Sequence, residues 1–275
     1  MKILRNLALA LLPLLAAARL SAQFSAAVLA NNPVGYWQLD ETSGTTAVDA
    51  SGNGLTGTYH GTPSFAQIGA LAPTDSAVAF SSASSFMSAA LPSSLLGSGA
   101  KTVALWVNPS NIANNALFFM GNAPGGGGSG QSFRFTTDGS GNLMLDVSSG
   151  VQSSNVAITL NNWNYVFAEW NGTNYQVGTV ADGIVNRFTL SGISATANLV
   201  SSGGEIDIAR NAVGGGGVSA TAIFDDVAVY NSALSDTQLL TQFNASVVPE
   251  PSAYAALAGA AMLAVACLRR RRATV

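Results

Sequence analysis

The 275-residue chain is poor in charged side chains: 11 are basic and 14 are acidic, together 9% of the sequence. Soluble globular domains average about 25%, so a charge-rich disordered chain and a coiled coil are both disfavoured. Between residues 24 and 248 only four residues are basic and 13 are acidic, which gives this stretch a formal charge of −9. Because so acidic a segment repels phosphate backbones, nucleic acid is excluded as an expected partner.

Cysteine and histidine are almost missing, with one residue of each. Cys267 lies near the C-terminus, so residues 23–247 contain no thiol for an internal disulfide and have to be stabilised by core burial. One histidine and one distant cysteine do not supply the usual ligands of a zinc site. We expect His60, the single histidine, to lie exposed in a turn rich in glycine and threonine.

Residues 1–22 have the three parts of a secretory signal peptide. Two basic residues at the start precede an apolar run at 7–18, and small residues close the segment. We predict cleavage after Ala22. The alternative, a first transmembrane helix, needs about 20 apolar residues, and Arg19 interrupts the run before that length is reached.

The C-terminal segment, residues 248–275, has three features in a fixed order. They are a Pro-Glu-Pro motif, an uncharged stretch predicted to be a transmembrane helix, and a basic cluster: Pro249, Glu250 and Pro251, then 253–268, then Arg269, Arg270, Arg271 and Arg272. The segment resembles the PEP-CTERM sorting signal of exosortase-bearing Gram-negative bacteria. That resemblance implies recognition by exosortase-type machinery at the inner membrane, and cleavage near the motif with release to the cell surface or the extracellular matrix. The alternative is a permanent tail anchor.

The middle of the chain, residues 23–247, has the pattern of a single all-β domain. Apolar residues alternate in short runs, such as 102–107, 163–170 and 223–230, and clusters of Gly, Asn, Ser, Asp and Pro separate them. A single short helix is expected near the end, where Ser235 and Gln238 form a capping box.

Three stretches of this domain resemble laminin-G-like domains of the concanavalin A type. They read GYWQLDE with DASGNGLTG, then TVALWVNP, then FDDVAVYNSALS, at residues 35–41 with 49–57, at 102–109 and at 224–235. The resemblance implies a concanavalin A-like jelly-roll, a two-sheet sandwich of about a dozen antiparallel strands.

A calcium site is predicted from Asp49, Asn53 and Asp226. Oxygen-bearing side chains alternate with small residues at 49–54, which suits a hard cation that takes six to eight oxygen ligands. The laminin-G-like resemblance implies a structural calcium near this loop and the last strand. Alternatively, Asp49 and Asn53 only form Asx turns, and Asp225 and Asp226 are a solvated strand end.

The sequence favours a protein that is not an enzyme. Glu205 and Asp207 resemble the catalytic strand of laminarinase-type β-glucanases, but Ala209 and Arg210 occupy the positions of the second glutamate, which would be the general acid. We expect Glu205 and Asp207 to face solvent on an ordinary strand.

Ligand binding is the remaining expectation. Trp170 and Tyr175 flank the turn at 171–173 and are the aromatic pair most able to reach solvent and stack on a sugar, whereas Trp37 and Trp106 are expected in the core. We therefore predict an exported adhesive protein that binds polysaccharide or a surface protein. The alternatives are a structural matrix protein without a specific ligand and a laminarinase-type hydrolase.

Overall fold

The computed structural model describes residues 20–71, 75–111, 115–122, 128, 130–148, 150–200, 203–210 and 219–247. Most of the predicted signal peptide and the whole predicted sorting segment, with its transmembrane helix, lie outside these ranges. Among the described helices, none combines the length and the apolar character needed to cross a bilayer.

The first of two antiparallel sheets has eight strands. Its order is β14–β13–β12–β7–β16–β5–β4, and β1 also pairs with β16. The strands are β1 (Gly35–Trp37), β4 (Ser64–Ile68), β5 (Ser76–Phe80), β7 (Lys101–Pro109), β12 (Asn164–Trp170), β13 (Tyr175–Ala181), β14 (Ile184–Leu190) and β16 (Ala222–Tyr230).

The second sheet also has eight strands, in the order β11–β10–β9–β8–β15–β6–β3–β2. The strands are β2 (Thr46–Ala47), β3 (Gly57–His60), β6 (Phe86–Ala90), β8 (Ala116–Asn122), β9 (Ser132–Thr137), β10 (Asn142–Asp146), β11 (Val151–Ala157) and β15 (Gly204–Ile208). The predicted two-sheet jelly-roll sandwich is confirmed, with sixteen strands in the described part of the chain.

The main core lies between the two sheets. In β7 the side chains of Val103, Leu105 and Val107 belong to it, while Ala104 and Trp106 belong to a second apolar cluster on the opposite face of the sheet. All five are nearly inaccessible to solvent. A strand that is buried on both faces is apolar almost throughout, which is why this run stood out in the sequence.

Two helices cover the outer face of the first sheet, so the expectation of a single helix is wrong. Helix α1 covers residues 20–29, and its buried Phe24 packs against Trp106 and Tyr165 with ring centroids 6.4 and 5.7 Å apart. Its buried positions, Phe24 and Val28, are one helical turn apart. Two apolar positions one turn apart are too short a pattern to separate α1 from the apolar segment before it in the sequence. The predicted cleavage after Ala22 falls within α1 and stays a prediction.

Helix α2 (Asp236–Val247) begins as the sequence predicted. The backbone N–H of Gln238 donates to Ser235 Oγ at 3.3 Å, and the backbone N–H of Ser235 donates to Gln238 Oε1 at 3.0 Å. This reciprocal pair satisfies two N–H groups at the helix start. Arg187 fixes α2 to the sheet through ion pairs with Asp236 and Glu169, each 2.9 Å long.

Candidate functional site

Three buried aspartates meet at the first sheet and form what we call the acidic centre: Asp75, Asp225 and Asp226. Each offers a carboxylate oxygen, and the three oxygens lie within 4.8 Å of one another. Asp75 directly precedes β5, and Asp225 and Asp226 lie in β16, the strand that pairs with β5. The pairing of these two strands therefore brings together residues that are 150 positions apart.

A β-bulge accounts for two consecutive aspartates in one cluster. Successive side chains of a regular strand point to opposite faces. The register of β16 against β7 shifts between Asp225 and Ala228, and Asp226 has a left-handed backbone with φ of 49°. The irregularity re-aims the side chain of Asp226, which a uniform strand would point away from that of Asp225.

Hydrogen bonds hold the acidic centre in place but leave one oxygen without a partner. The backbone N–H of Ala70 donates to Asp225 Oδ2 at 2.7 Å, that of Leu71 donates to Asp75 Oδ2 at 3.1 Å, and the Tyr36 hydroxyl donates to Asp226 Oδ1. Asp225 Oδ1 is buried and has no partner. A buried carboxylate oxygen without a donor is costly unless a proton or a cation satisfies it.

The pKa values of the three aspartates also indicate that the acidic centre needs protons or a cation. Burial raises the pKa of Asp225 and Asp226 well above the usual range, and the charges of neighbouring aspartates raise it further. Burial also raises the pKa of Asp75. Three such groups are stable together only when they take up protons or share a positive ion. Their all-oxygen donor set fits a hard divalent cation of the calcium type.

Asp49 and Asn53, two of the three predicted calcium ligands, support a loop. Asp49 accepts four hydrogen bonds, from the backbone N–H groups of Tyr36, Ser51 and Leu55 and from the Ser51 hydroxyl, at 2.7–3.0 Å. Partial burial opposes their effect, but these bonds lower the pKa of Asp49. The amide of Asn53 donates to the carbonyls of Pro33 and Val34.

The structure therefore groups Asp226 with Asp75 and Asp225, and Asp49 is not in that cluster. Tyr36 connects the two places, because its backbone N–H bonds Asp49 and its hydroxyl bonds Asp226. Asp75 was missed by the sequence analysis. The available signal was the Asp-Asp pair in the otherwise apolar run of β16, which marks a polar position but does not identify its distant partner.

The laminarinase-like stretch forms a different cluster on the second sheet. Arg210 Nη2 lies 2.9 Å from both Glu205 Oε1 and Asp207 Oδ2, and the guanidinium lies over the Phe86 ring at 3.7 Å from its centroid. Asp207 is fully buried, so the expectation that it faces solvent is wrong. Burial raises its pKa to about 7 against the attraction of Arg210, which is shared with Glu205.

His60 also differs from its prediction as an exposed turn residue. It is the last residue of β3 and is half-buried. Its ring stacks on Phe86 with centroids 4.3 Å apart, and its Nε2 lies 2.7 Å from Ser88 Oγ. Partial burial lowers its pKa.

Trp170 and Tyr175 do not reach solvent, which overturns the reason for proposing them as a sugar platform. They are 4% and 1% exposed, and their rings pack with centroids 4.5 Å apart. The indole N–H of Trp170 donates to the carbonyl of Ser98 at 3.0 Å. The turn at 171–173 is exposed, but both flanking rings belong to the core between the sheets.

Comparison with known families identifies the domain. A laminin-G-type family model, described as the concanavalin A-like lectin/glucanases superfamily, matches residues 83–240. A search of curated proteins found no match.

Solved structures share the fold at low identity. Domain 4 of an extracellular arabinanase from Geobacillus stearothermophilus, solved in complex with arabinotriose, is 17% identical with a TM-score of 0.55, and the match covers 77% of this chain and 98% of that one. Trypanosoma rangeli sialidase in complex with sialic acid is 12% identical with a TM-score of 0.54, covering 76% and 32%. A botulinum neurotoxin type C structure, whose cell entry depends on two ganglioside molecules, is 12% identical with a TM-score of 0.55, covering 81% and 53%.

Proposed function

Since the chain belongs to the concanavalin A-like lectin/glucanases superfamily, we propose that it is an exported, non-catalytic protein whose sandwich binds carbohydrate or a surface protein. The proposal places it at the cell surface or in the extracellular matrix, after an inner-membrane stage. Both ends of the sequence support export, because 1–22 has the parts of a signal peptide and 248–275 resembles a sorting signal.

The observation that carries the non-catalytic part is the position of Arg210. A retaining glycosidase needs two carboxyls about 5–5.5 Å apart, one acting as nucleophile and the other as acid. In this chain Arg210 takes one of the places where the resembled strand has its second glutamate, and it pairs with both remaining carboxylates. A guanidinium does not donate its proton at neutral pH, and Asp207, whose pKa is raised, is fully buried, so the cluster offers no accessible general acid.

Carbohydrate is the favoured ligand class. The structural relatives described above were solved with, or named for, arabinotriose, sialic acid and gangliosides. Those ligands belong to the relatives. They support carbohydrate for this chain by analogy of fold, since proteins of very different sequence that contain this sandwich bind carbohydrate.

Calcium in this proposal is structural and sits at the acidic centre. Asp75, Asp225 and Asp226 would hold the ion, and the Asp49–Asn53 loop would act indirectly by positioning Tyr36. The ion would neutralise the buried carboxylates and give Asp225 Oδ1 a partner. It would take no part in chemistry on a ligand.

A polysaccharide array tests the binding proposal. The full chain, purified in detergent micelles, should retain at least one polysaccharide, and the retention should weaken in chelator as the fold loosens. In parallel, incubation with β-glucan should release no reducing sugar. If no polysaccharide is bound, the structural matrix protein is favoured. If β-glucan is hydrolysed and the activity is lost in Glu205→Gln, the protein is a hydrolase instead.

Export and sorting need a separate test in an exosortase-bearing host. The chain should leave the inner membrane shortened at both ends. Replacing Arg269, Arg270, Arg271 and Arg272 with serine should trap it at the membrane. A protein that keeps its first 22 residues in the cytoplasm would contradict the proposal.

A further inference from the structure

An aromatic groove lies on the helix-covered face of the first sheet. It is open to solvent and has a volume of about 490 Å³. Four rings and several polar side chains line it, among them Trp106, Trp163, Tyr165, Phe243, Asn162 and Thr179. Its volume falls within the range of about 300–1,000 Å³ that is common for small-ligand sites.

The rings of the groove are held rigidly. Trp106 and Tyr165 are directly opposite each other in the β7–β12 register, and their centroids are 5.0 Å apart. Phe243 of α2 packs 5.8 Å from Trp106. The Tyr165 hydroxyl donates to Gln242 of α2. Trp106 and Tyr165 are 5% and 2% exposed and therefore form the floor of the groove, which leaves half-buried Trp163 as the ring on which a ligand can stack.

One donor on a residue that lines the groove has no acceptor. Trp106 is 5% exposed, and its Nε1–H is buried without a hydrogen-bond partner. Buried indole N–H groups usually find a partner, so an unpaired one costs free energy that an incoming acceptor recovers. By contrast, the indole N–H groups of Trp37 and Trp170 donate to backbone carbonyls.

The chemistry of the lining selects the ligand. Flat rings cover apolar C–H surfaces, Asn162 and Thr179 offer hydrogen bonds, and the buried indole donates to an oxygen. None of the described residues that line the groove is charged. A saccharide has an apolar face and a rim of hydroxyl groups, which match this lining. Because no described lining residue is basic and could pair with a carboxylate or sulfate, a neutral saccharide fits best.

We propose that the aromatic groove is a binding site for a neutral oligosaccharide, with half-buried Trp163 as the accessible stacking ring and the Trp106 indole as a hydrogen-bond donor. This inference rests on the proposed carbohydrate-binding function and gives it a location. Trp163 lies just before β12, so its ring can be removed without changing a strand.

Titration calorimetry on the full chain in micelles tests the site, with neutral arabino-, gluco- and manno-oligosaccharides as probes and a sialylated one for comparison. Trp163→Ala should weaken binding of the preferred neutral sugar about tenfold or more, as loss of a central aromatic contact does. Trp106→Phe keeps a ring but removes the N–H, and should weaken it about threefold to tenfold. Phe65→Ala removes another partly buried ring, which packs on Tyr59 away from the groove, and is the matched control.

The outcomes separate the two proposals. If the native chain binds an oligosaccharide and Trp163→Ala binds it equally well, the groove is not the site, but the carbohydrate-binding function stands. If the native chain binds none of the probes or polysaccharides, both the groove assignment and the carbohydrate-binding proposal are wrong. Preference for the sialylated probe would overturn the assignment of a neutral ligand. Variants that keep native melting temperatures exclude misfolding as the cause of lost binding.

Discussion

Each sheet contains one cluster of carboxylates, and the chain neutralises the two clusters differently. On the second sheet, Glu205 and Asp207 share the guanidinium of Arg210. On the first, no Lys, Arg or His of the described chain forms an ion pair with the aspartates of the acidic centre. Burying a charge is costly unless it is paired. The carboxylates beside Arg210 have a cation within the protein, although Asp207 Oδ1 has no hydrogen-bond partner, whereas the acidic centre depends on protons or cations from solution.

The largest effect is expected from removing the cation of the ion-paired cluster on the second sheet. Arg210→Ala leaves Asp207 buried beside Glu205 without a positive partner, and should lower the free energy of unfolding by about 3 kcal/mol. Urea denaturation measures it. The control is Arg134→Ala, which removes a 2.7 Å pair with the more exposed Asp146 and should cost about 1 kcal/mol or less. Equal losses for the two variants would contradict the comparison.

Supplying the missing cation is the second test. Calcium at about 100 times its dissociation constant should stabilise the folded chain by about 2.7 kcal/mol, or about 5–10 °C in melting temperature. Differential scanning calorimetry in chelator and in calcium measures this shift. Asp225→Asn should abolish it, while Asp49→Asn should lower stability but retain it. The reverse result would place the ion at the 49–55 loop.

Proton binding provides the third test, at Asp207. Its folded pKa, about 7, lies above the ordinary value near 4, so the folded chain binds this proton more tightly than the unfolded chain does. The resulting stability is present in full below about pH 4 and is lost as pH rises towards 7. Asp207→Asn should reduce that decline by about 2 kcal/mol, measured by urea denaturation across the range. A slope identical to that of the native chain would contradict the assignment.

The smallest effect has the opposite sign to that of Arg210→Ala. In chelator at pH 7, Asp225→Asn removes one of three mutually repelling carboxyls and should raise the free energy of unfolding by about 1 kcal/mol. The asparagine carbonyl can still accept the N–H of Ala70. Destabilisation in chelator would mean that the Asp225 carboxyl already has a partner.

Local patterns predicted the sandwich well. The apolar alternation of β7, β12 and β16 arises within each strand, and the Ser235–Gln238 capping box spans three residues. Features of this kind depend on residues close together in the sequence, so they can be predicted without knowing what packs against them.

The candidate sites depended on long-range pairing, which local patterns do not contain. Asp75 joins Asp225 only because β5 lies beside β16. Trp170 and Tyr175 flank a polar turn, yet both rings point into the core between the sheets. The partners of Trp106 come from α1, β12 and α2. The groove could not be assembled from any one stretch.

The place of β16 in the first sheet sets a condition on when the domain can fold. It is the last strand of the described residues, yet it pairs with β1, β5 and β7 and so joins the two halves of its sheet. Until the chain is available up to residue 230, no strand connects β5 to β7. Forming contacts between such distant parts of the sequence is slow. If the chain crosses a membrane from its N-terminus, as proposed, the first sheet cannot close until nearly the whole domain has passed, which leaves that part of the chain in a form that a translocation channel can accept.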